Sequence, residues 1–221
     1  MLTLTATLLV LNSFGQSEFQ KVDREQIKTA IQSKTALTYY PTLLNRFISN
    51  DTSLNLTEYR LLYYGFVFQP NYVGYPDFQT RRINDAVEKK DYATVLYISD
   101  SILEKIPISM TGNYYKGLGI YLKDKNDTSF IRYRDRYKHI LNAIVSSGDG
   151  LSCKTAFKTI FVSDEYNVMY EYFEVEKFLG QSLETPCDRM TVSPSKYFQN
   201  SSMYFDTSET LLSMEKLLKN K

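Results

Sequence analysis

The chain has 221 residues and 43% hydrophobic content, enough to bury a sizeable core and too apolar for general disorder. Lys and Arg total 26 against 25 Asp and Glu, a net charge of +1, so no overall field draws it to nucleic acid or an anionic membrane. With 19 Tyr, 13 Phe and no Trp, tyrosine must supply the amphipathic contacts of core rims and ligand surfaces.

The first sixteen residues, MLTLTATLLVLNSFGQ, place an apolar run from Leu2 to Leu11 before Ser13-Phe14-Gly15. This has the form of a secretory signal peptide over 1–16, although no Lys or Arg precedes the run. The run is too short for a permanent membrane span. A buried N-terminal strand or helix is the other reading. Export predicts a periplasmic or secreted protein.

Asp23 and Gln26 are spaced like a capping box, and Ile27 and Ile31 follow four apart, which predicts a first helix. In YYPTLLNRFISN, Tyr40, Leu44 and Ile48 form one line and Tyr39, Leu43 and Phe47 the next, predicting a second helix with Pro41 in its first turn. Asn55 and Glu58 are again spaced as a cap. Tyr59, Leu62, Tyr63 and Phe66, flanked by Leu61, Tyr64 and Phe68, then predict a third helix that is apolar on most of its circumference. Gly65 inside it costs about 1 kcal/mol relative to Ala, so a neighbouring element is expected to approach closely there. Gln69-Pro70 ends it.

Two helix pairs follow. KKDYATVLYISDSILEKIP and KNDTSFIRYRDRYKHILNAI superpose with Asp91 on Asp127, a period of roughly 36 residues that is near the tetratricopeptide repeat length. Ile83 and Val87 belong to the helix before the first segment; Tyr114, Tyr115, Leu118, Tyr121 and Leu122 belong to the helix before the second. Tetratricopeptide-like hairpins completed by the N-terminal helices and an ordinary helical bundle both fit. From Gly148-Asp149-Gly150 the composition changes. TAFKTIFV and the alternating Tyr166, Val168, Tyr170 and Tyr172 predict strands, as do CDRMTVSP and SSMYFDTS. Ser208 opens a last helix with Leu211, Leu212, Met214, Leu217 and Leu218. The expected fold is α+β: a helical region over 17–147, then a region over 148–221 with a small antiparallel sheet and a C-terminal helix, packed as one unit.

The catalytic inventory is thin. His139 is the single histidine and reads as a solvated surface residue, so a two-histidine metal site is excluded on supply. No nucleophile elbow, zinc helix or phosphate loop occurs, and neither a metal nor a cofactor is expected. Asp164-Glu165 is the most distinctive acid pair. It reads as a strand-connecting turn or as half of a general acid and base system. Tyr63, Tyr64, Tyr72 and Tyr75 bracket Pro70 and two glycines, and read either as core-rim packing or as a groove for a peptide or glycan. Arg81-Arg82 and RYRDRY interleave basic and aromatic residues, but Asp127 and Asp135 argue against nucleic acid. Cys153 and Cys187, the two cysteines, are either a disulfide suited to an oxidising compartment or two buried thiols.

The segments YYPTLLNRF, DTSLNLTEYRLLYYGFVFQPNY, GDG, TAFKTIFVSDEY and YFDTS, together with the export pattern, resemble an uncharacterised family of exported Bacteroidetes proteins, domain of unknown function 4919. The resemblance covers nearly the whole chain after the leader, and Leu62-Tyr63-Tyr64-Gly65 with Gln69 and Tyr72 is its most specific part. It implies an exported bacterial protein and carries no catalytic or binding residues with it. The candidate ligand-binding set is therefore Tyr63, Tyr64, Gln69, Tyr72, Tyr75, Asp164 and Glu165. A non-enzymatic module that binds another envelope protein or an extended ligand is the first expectation, and a carboxylate-based hydrolase or small-ligand carrier the second.

Overall fold

The computed structural model describes residues 19–219; the expected signal peptide at 1–16 lies outside the described residues. Helix α1 (Arg24–Gln32) starts where the Asp23 carboxylate accepts the N–H groups of Glu25 and Gln26, each at 3.0 Å, satisfying donors that the first turn leaves free. Helix α2 (Tyr40–Ile48) carries Pro41 in its first turn, where a missing N–H costs nothing. Helix α3 (Leu56–Gly65) has a full capping box: Asn55 accepts from Glu58 N at 3.0 Å and Glu58 accepts from Asn55 N at 2.9 Å.

Every residue of α3 from Tyr59 to Gly65 is buried. The helix is central because α1, α2 and α7 all pack on it. Gly65 is the close approach that the sequence called for, at the last position of the helix: a Cβ there would meet Ile31 Cδ1 and the Tyr40 ring at 3.1 Å. The Tyr40 ring is itself held by its hydroxyl donating to Leu62 O at 3.1 Å.

Helices α4 (Thr80–Glu88), α5 (Tyr92–Lys105), α6 (Met110–Lys123) and α7 (Phe130–Val145) follow through short connections, each packing on the next. Asp91 caps α5 by accepting from Thr94 N at 3.1 Å, and Ser109 caps α6 by accepting from Gly112 N at 3.0 Å. The last turn of α7 leads directly into the Gly148-Asp149-Gly150 turn.

The C-terminal part holds β1 (Phe157–Lys158), α8 (Val162–Asn167), β2 (Phe178–Glu184), β3 (Cys187–Val192), β4 (Ser202–Asp206) and α9 (Ser208–Lys219), with a π-helical turn at Val168–Tyr172 extending α8. The sheet order is β1-β4-β3-β2. The protein is α+β, as expected. The sheet is mixed rather than antiparallel throughout, because the short edge strand β1 runs parallel to β4 with Phe157 opposite Phe205. A single apolar cluster runs from Ile27 of α1 to Phe205 of β4 and joins the helices to the sheet.

Two predicted strands are corrected. TAFKTIFV keeps only two strand residues, and DEYNVMYEYFEV is helical. The buried positions there are Phe161, Asp164, Glu165, Val168 and Met169, an i, i+3, i+4, i+7, i+8 stripe in which two acids occupy places that normally hold apolar side chains. Reading those acids as outward-facing left only the alternating aromatics, whose strand propensity then pointed the wrong way. Helix α9 inverts its pattern in a related manner. Glu209, Thr210 and Ser213 face inward, while Leu212, Met214, Leu217 and Leu218 are exposed. Its inner face is held by polar contacts: Glu209 pairs with Arg24 at 3.0 Å and Ser213 Oγ accepts from Gly74 N at 3.0 Å.

Candidate functional site

The tyrosines singled out in the sequence serve mainly to join the two parts of the fold. Tyr63 is 0% and Tyr64 2% exposed, so neither ring lines an open groove; that expectation is corrected. A buried phenol must keep a hydrogen-bond partner, and both find one on the stretch that runs from β1 into α8. Tyr63 donates to Asp164 Oδ2 at 2.7 Å and accepts from Ile160 N at 3.1 Å. Tyr64 donates to Lys158 O at 3.1 Å. Half-buried Tyr72 donates to Ile160 O at 2.9 Å. Gln69 donates through Nε2 to Gly65 O at 3.2 Å, closing the end of α3. Tyr75 alone of the set is well exposed, at 46%.

Asp164 and Glu165 are 1% and 0% exposed. They lie in the first turn of α8, not at a strand-connecting turn, and both point into protein. Burial pushes the Asp164 carboxyl up to about 7, with the Tyr63 hydrogen bond pulling the other way. Burial pushes Glu165 further, to about 9, and the nearby acids Asp188 and Asp164 add to the rise. Both Glu165 oxygens are buried without a hydrogen-bond partner among the described residues. A carboxyl in that setting is held neutral at neutral pH. Asp188 on β3 is raised as well, chiefly by burial. Among the described residues no three His, Cys, Asp or Glu side chains gather in a metal-binding arrangement. The acids are enclosed, so a dissolved substrate has no access to them in this conformation.

The open concavity lies elsewhere. A cleft of about 830 Å³ sits where α3 and α7 meet the turn after α7 and the loop before β4. One wall carries Tyr59 and His139, whose rings stack at 4.6 Å with 17° between their planes. His139 is exposed as expected, but it is fixed by this stacking. The lining also includes Tyr172, from the π-helical turn, and Tyr197, 50% exposed. Amide side chains from Gln20, Asn142, Gln199 and Asn200 complete the lining, with Asp149 as the one acid and no Lys or Arg among the described residues.

The walls are braced. Gly148 lines the cleft, and a Cβ there would collide with the carbonyl oxygens of Thr155 and Ala156, so the turn closes only with glycine. Asp149 N and Gly150 N both donate to Thr155 O at 2.9 Å, and Tyr204 N of β4 donates to Gly150 O at 2.9 Å. Beneath this turn Cys153 and Cys187 form a disulfide with Cα atoms 5.7 Å apart. On the opposite side Ser195 Oγ accepts from Tyr197 N at 3.2 Å and Phe198 N at 3.1 Å and donates to Phe173 O, while Gln199 Nε2 donates to Ser195 O at 2.6 Å. Tyr197 and Gln199 thus sit on a tight, anchored turn.

A second depression, of about 370 Å³, runs along α6 and α7 between Tyr114, Tyr121, Phe130 and Tyr137. Asn113 at its floor is 0% exposed; its Nδ2 donates to Ser109 O at 2.8 Å and its Oδ1 has no partner among the described residues.

Sequence reasoning did not find the cleft, because its lining comes from six separated stretches between Phe19 and Asn200. The available signals were Gly148-Asp149-Gly150 at the change in composition and the single histidine on a helix that packs on α3. Among the described residues no helix is long and apolar enough to cross a membrane. Searches of the curated proteins and of the solved structures gave no match. The model of the family described as "Domain of unknown function (DUF4919)" matches residues 25–216, which takes in both layers of the fold and almost the entire cleft, and the chain belongs to that family.

Proposed function

We propose that this chain is an exported, non-enzymatic binding module of a Bacteroidetes envelope, and that it captures an extended ligand in the cleft between its helical layer and its sheet. The observation that carries this reading is the cleft itself: about 830 Å³, within the roughly 300–1,000 Å³ typical of ligand sites, with flat rings and amides on braced turns. Preorganised walls lose little entropy on binding. The enclosure of Asp164 and Glu165, together with a single acid at the cleft, supports binding over acid-base hydrolysis. The apolar run from Leu2 to Leu11 and the Cys153–Cys187 pair support an oxidising compartment, the periplasm or the exterior.

The same role has a second location. The α4–α5 and α6–α7 hairpins, with their period of roughly 36 residues, read as tetratricopeptide-like units, and the depression on α6 and α7 suits a segment of a partner protein. The exposed rings of Tyr114 and Tyr121 at this depression favour this reading, since an aromatic face open to solvent is a contact surface for a partner's apolar side chain.

The test is native mass spectrometry on the full protein purified gently from its own envelope, beside an Asn142→Arg variant that fills the cleft. An adduct carried by the wild type and lost from the variant supports the cleft. An adduct retained by the variant moves binding to another surface, and no adduct on either protein overturns the binding role.

A further inference from the structure

Resting on the cleft reading above, we infer that the ligand class is a neutral oligosaccharide. The chemistry of the walls selects it. Among the described residues no ammonium or guanidinium lines the cleft, so nothing there offsets the charge of a phosphate, sulfate or uronate, and Asp149 adds a carboxylate against any anion. The polar groups are instead the amides of Gln20, Asn142, Gln199 and Asn200. A primary amide carries two donors and an acceptor side by side, the pattern that matches neighbouring hydroxyls, which donate and accept together; Gln199, whose Nε2 already donates to Ser195 O and Lys196 O, offers its oxygen.

The rings supply the other half. Tyr172 and Tyr197 are 41% and 50% exposed at the rim, and His139 backs onto Tyr59, leaving its outer face to solvent. A sugar ring has an apolar C–H face and a polar hydroxyl edge, so it packs on an aromatic face while its edge reaches the amides. An apolar peptide side chain would want a deep dry socket. The exposed rings here, Tyr172 and Tyr197, share the lining with the amide side chains. A cleft of about 830 Å³ has room for a chain of sugars rather than for one ring alone.

The experiment is a nuclear magnetic resonance titration of the full protein with maltohexaose, cellohexaose, xylohexaose and mannohexaose, with hexagalacturonate and an Ala-Gly-Ser hexapeptide as comparators. At least one neutral hexasaccharide is expected to saturate and to shift the backbone amides of His139, Asn142, Asp149 and Gln199. Tyr197→Ala is expected to weaken it by about tenfold or more, whereas Tyr197→Phe, which keeps the ring face, retains most of the affinity. Tyr197 is exposed, so neither change threatens the fold. The inference is overturned if all four neutral sugars leave these amides unmoved at about 10 mM, where a site with a Kd of about 1 mM would be almost filled. It is equally overturned if hexagalacturonate or the hexapeptide occupies the cleft in their place. Should the sugars fail while Asn142→Arg still strips the native adduct, the binding role stands and the ligand class falls; should both fail, the cleft has no such role.

Discussion

The Tyr63 hydroxyl donates to Asp164 Oδ2 at 2.7 Å, joining the most buried helix of the N-terminal layer to α8 across 101 positions of sequence. The same oxygen accepts from Ile160 N. One phenol therefore satisfies a carboxyl and a backbone donor that water cannot reach.

Tyr63→Phe removes both bonds while keeping the ring. The cost of leaving buried polar groups unpaired is about 1–3 kcal/mol, so urea denaturation should show a loss of that size. Because the Tyr63 bond lowers the Asp164 pKa, carbon-13 titration of the variant should find that carboxyl displaced further upward.

Glu165 makes stability depend on pH with a defined sign. Its carboxyl is raised from 4.5 to about 9 by burial, so the folded state holds a proton that the unfolded state releases. Stability from this group is fully present below pH 4.5 and is lost as pH rises towards 9, with a slope of at most about 1.4 kcal/mol per pH unit. Asp164, raised from 3.8 to about 7, acts in the same direction over the lower part of the range. Glu165→Gln carries no proton to lose. Thermal melts from pH 5 to pH 9 should show the variant gaining on the wild type as pH rises; parallel curves would refute the assignment.

Gly148→Ala places a methyl against two backbone carbonyls. Neither oxygen sits on a flexible side chain, so the turn itself must deform. Calorimetry should register a loss of roughly 3 kcal/mol or more, and the cleft should lose ligand affinity with it.

Opening the disulfide lengthens the freedom of a loop whose ends are 34 positions apart. Chain-entropy reasoning puts that at about 3–4 kcal/mol. The paired variant Cys153→Ser with Cys187→Ser should show the loss in urea, and added reductant should affect only the wild type.

The helices were legible because their signals are local. Asn55 with Glu58, Asp91 before α5 and Pro41 at the start of α2 each mark a boundary by chemistry that the neighbouring residues complete. Edge strand β2 was not legible: Leu179 and Leu183 point to solvent, so the alternation that marks a half-buried strand is missing. Helix α8 was hidden by its own buried acids. The tyrosine cluster was read as core-rim packing or as a groove, and the sequence did not decide between them, since spacing along α3 says that Tyr63 and Tyr64 are adjacent but not that β1 and α8 cover them. The cleft required knowing which loops meet, and no single stretch of the sequence carries that.

Helix α8 and its two enclosed acids lie inside the ring that the Cys153–Cys187 bond closes. A protease that cuts the exposed edge around Leu179 would therefore release nothing: the two pieces stay tethered, migrate as one species without reductant, and separate only when the bond is opened. A nick in this loop is therefore survivable damage, because the covalent chain of cross-links still holds both pieces in one molecule.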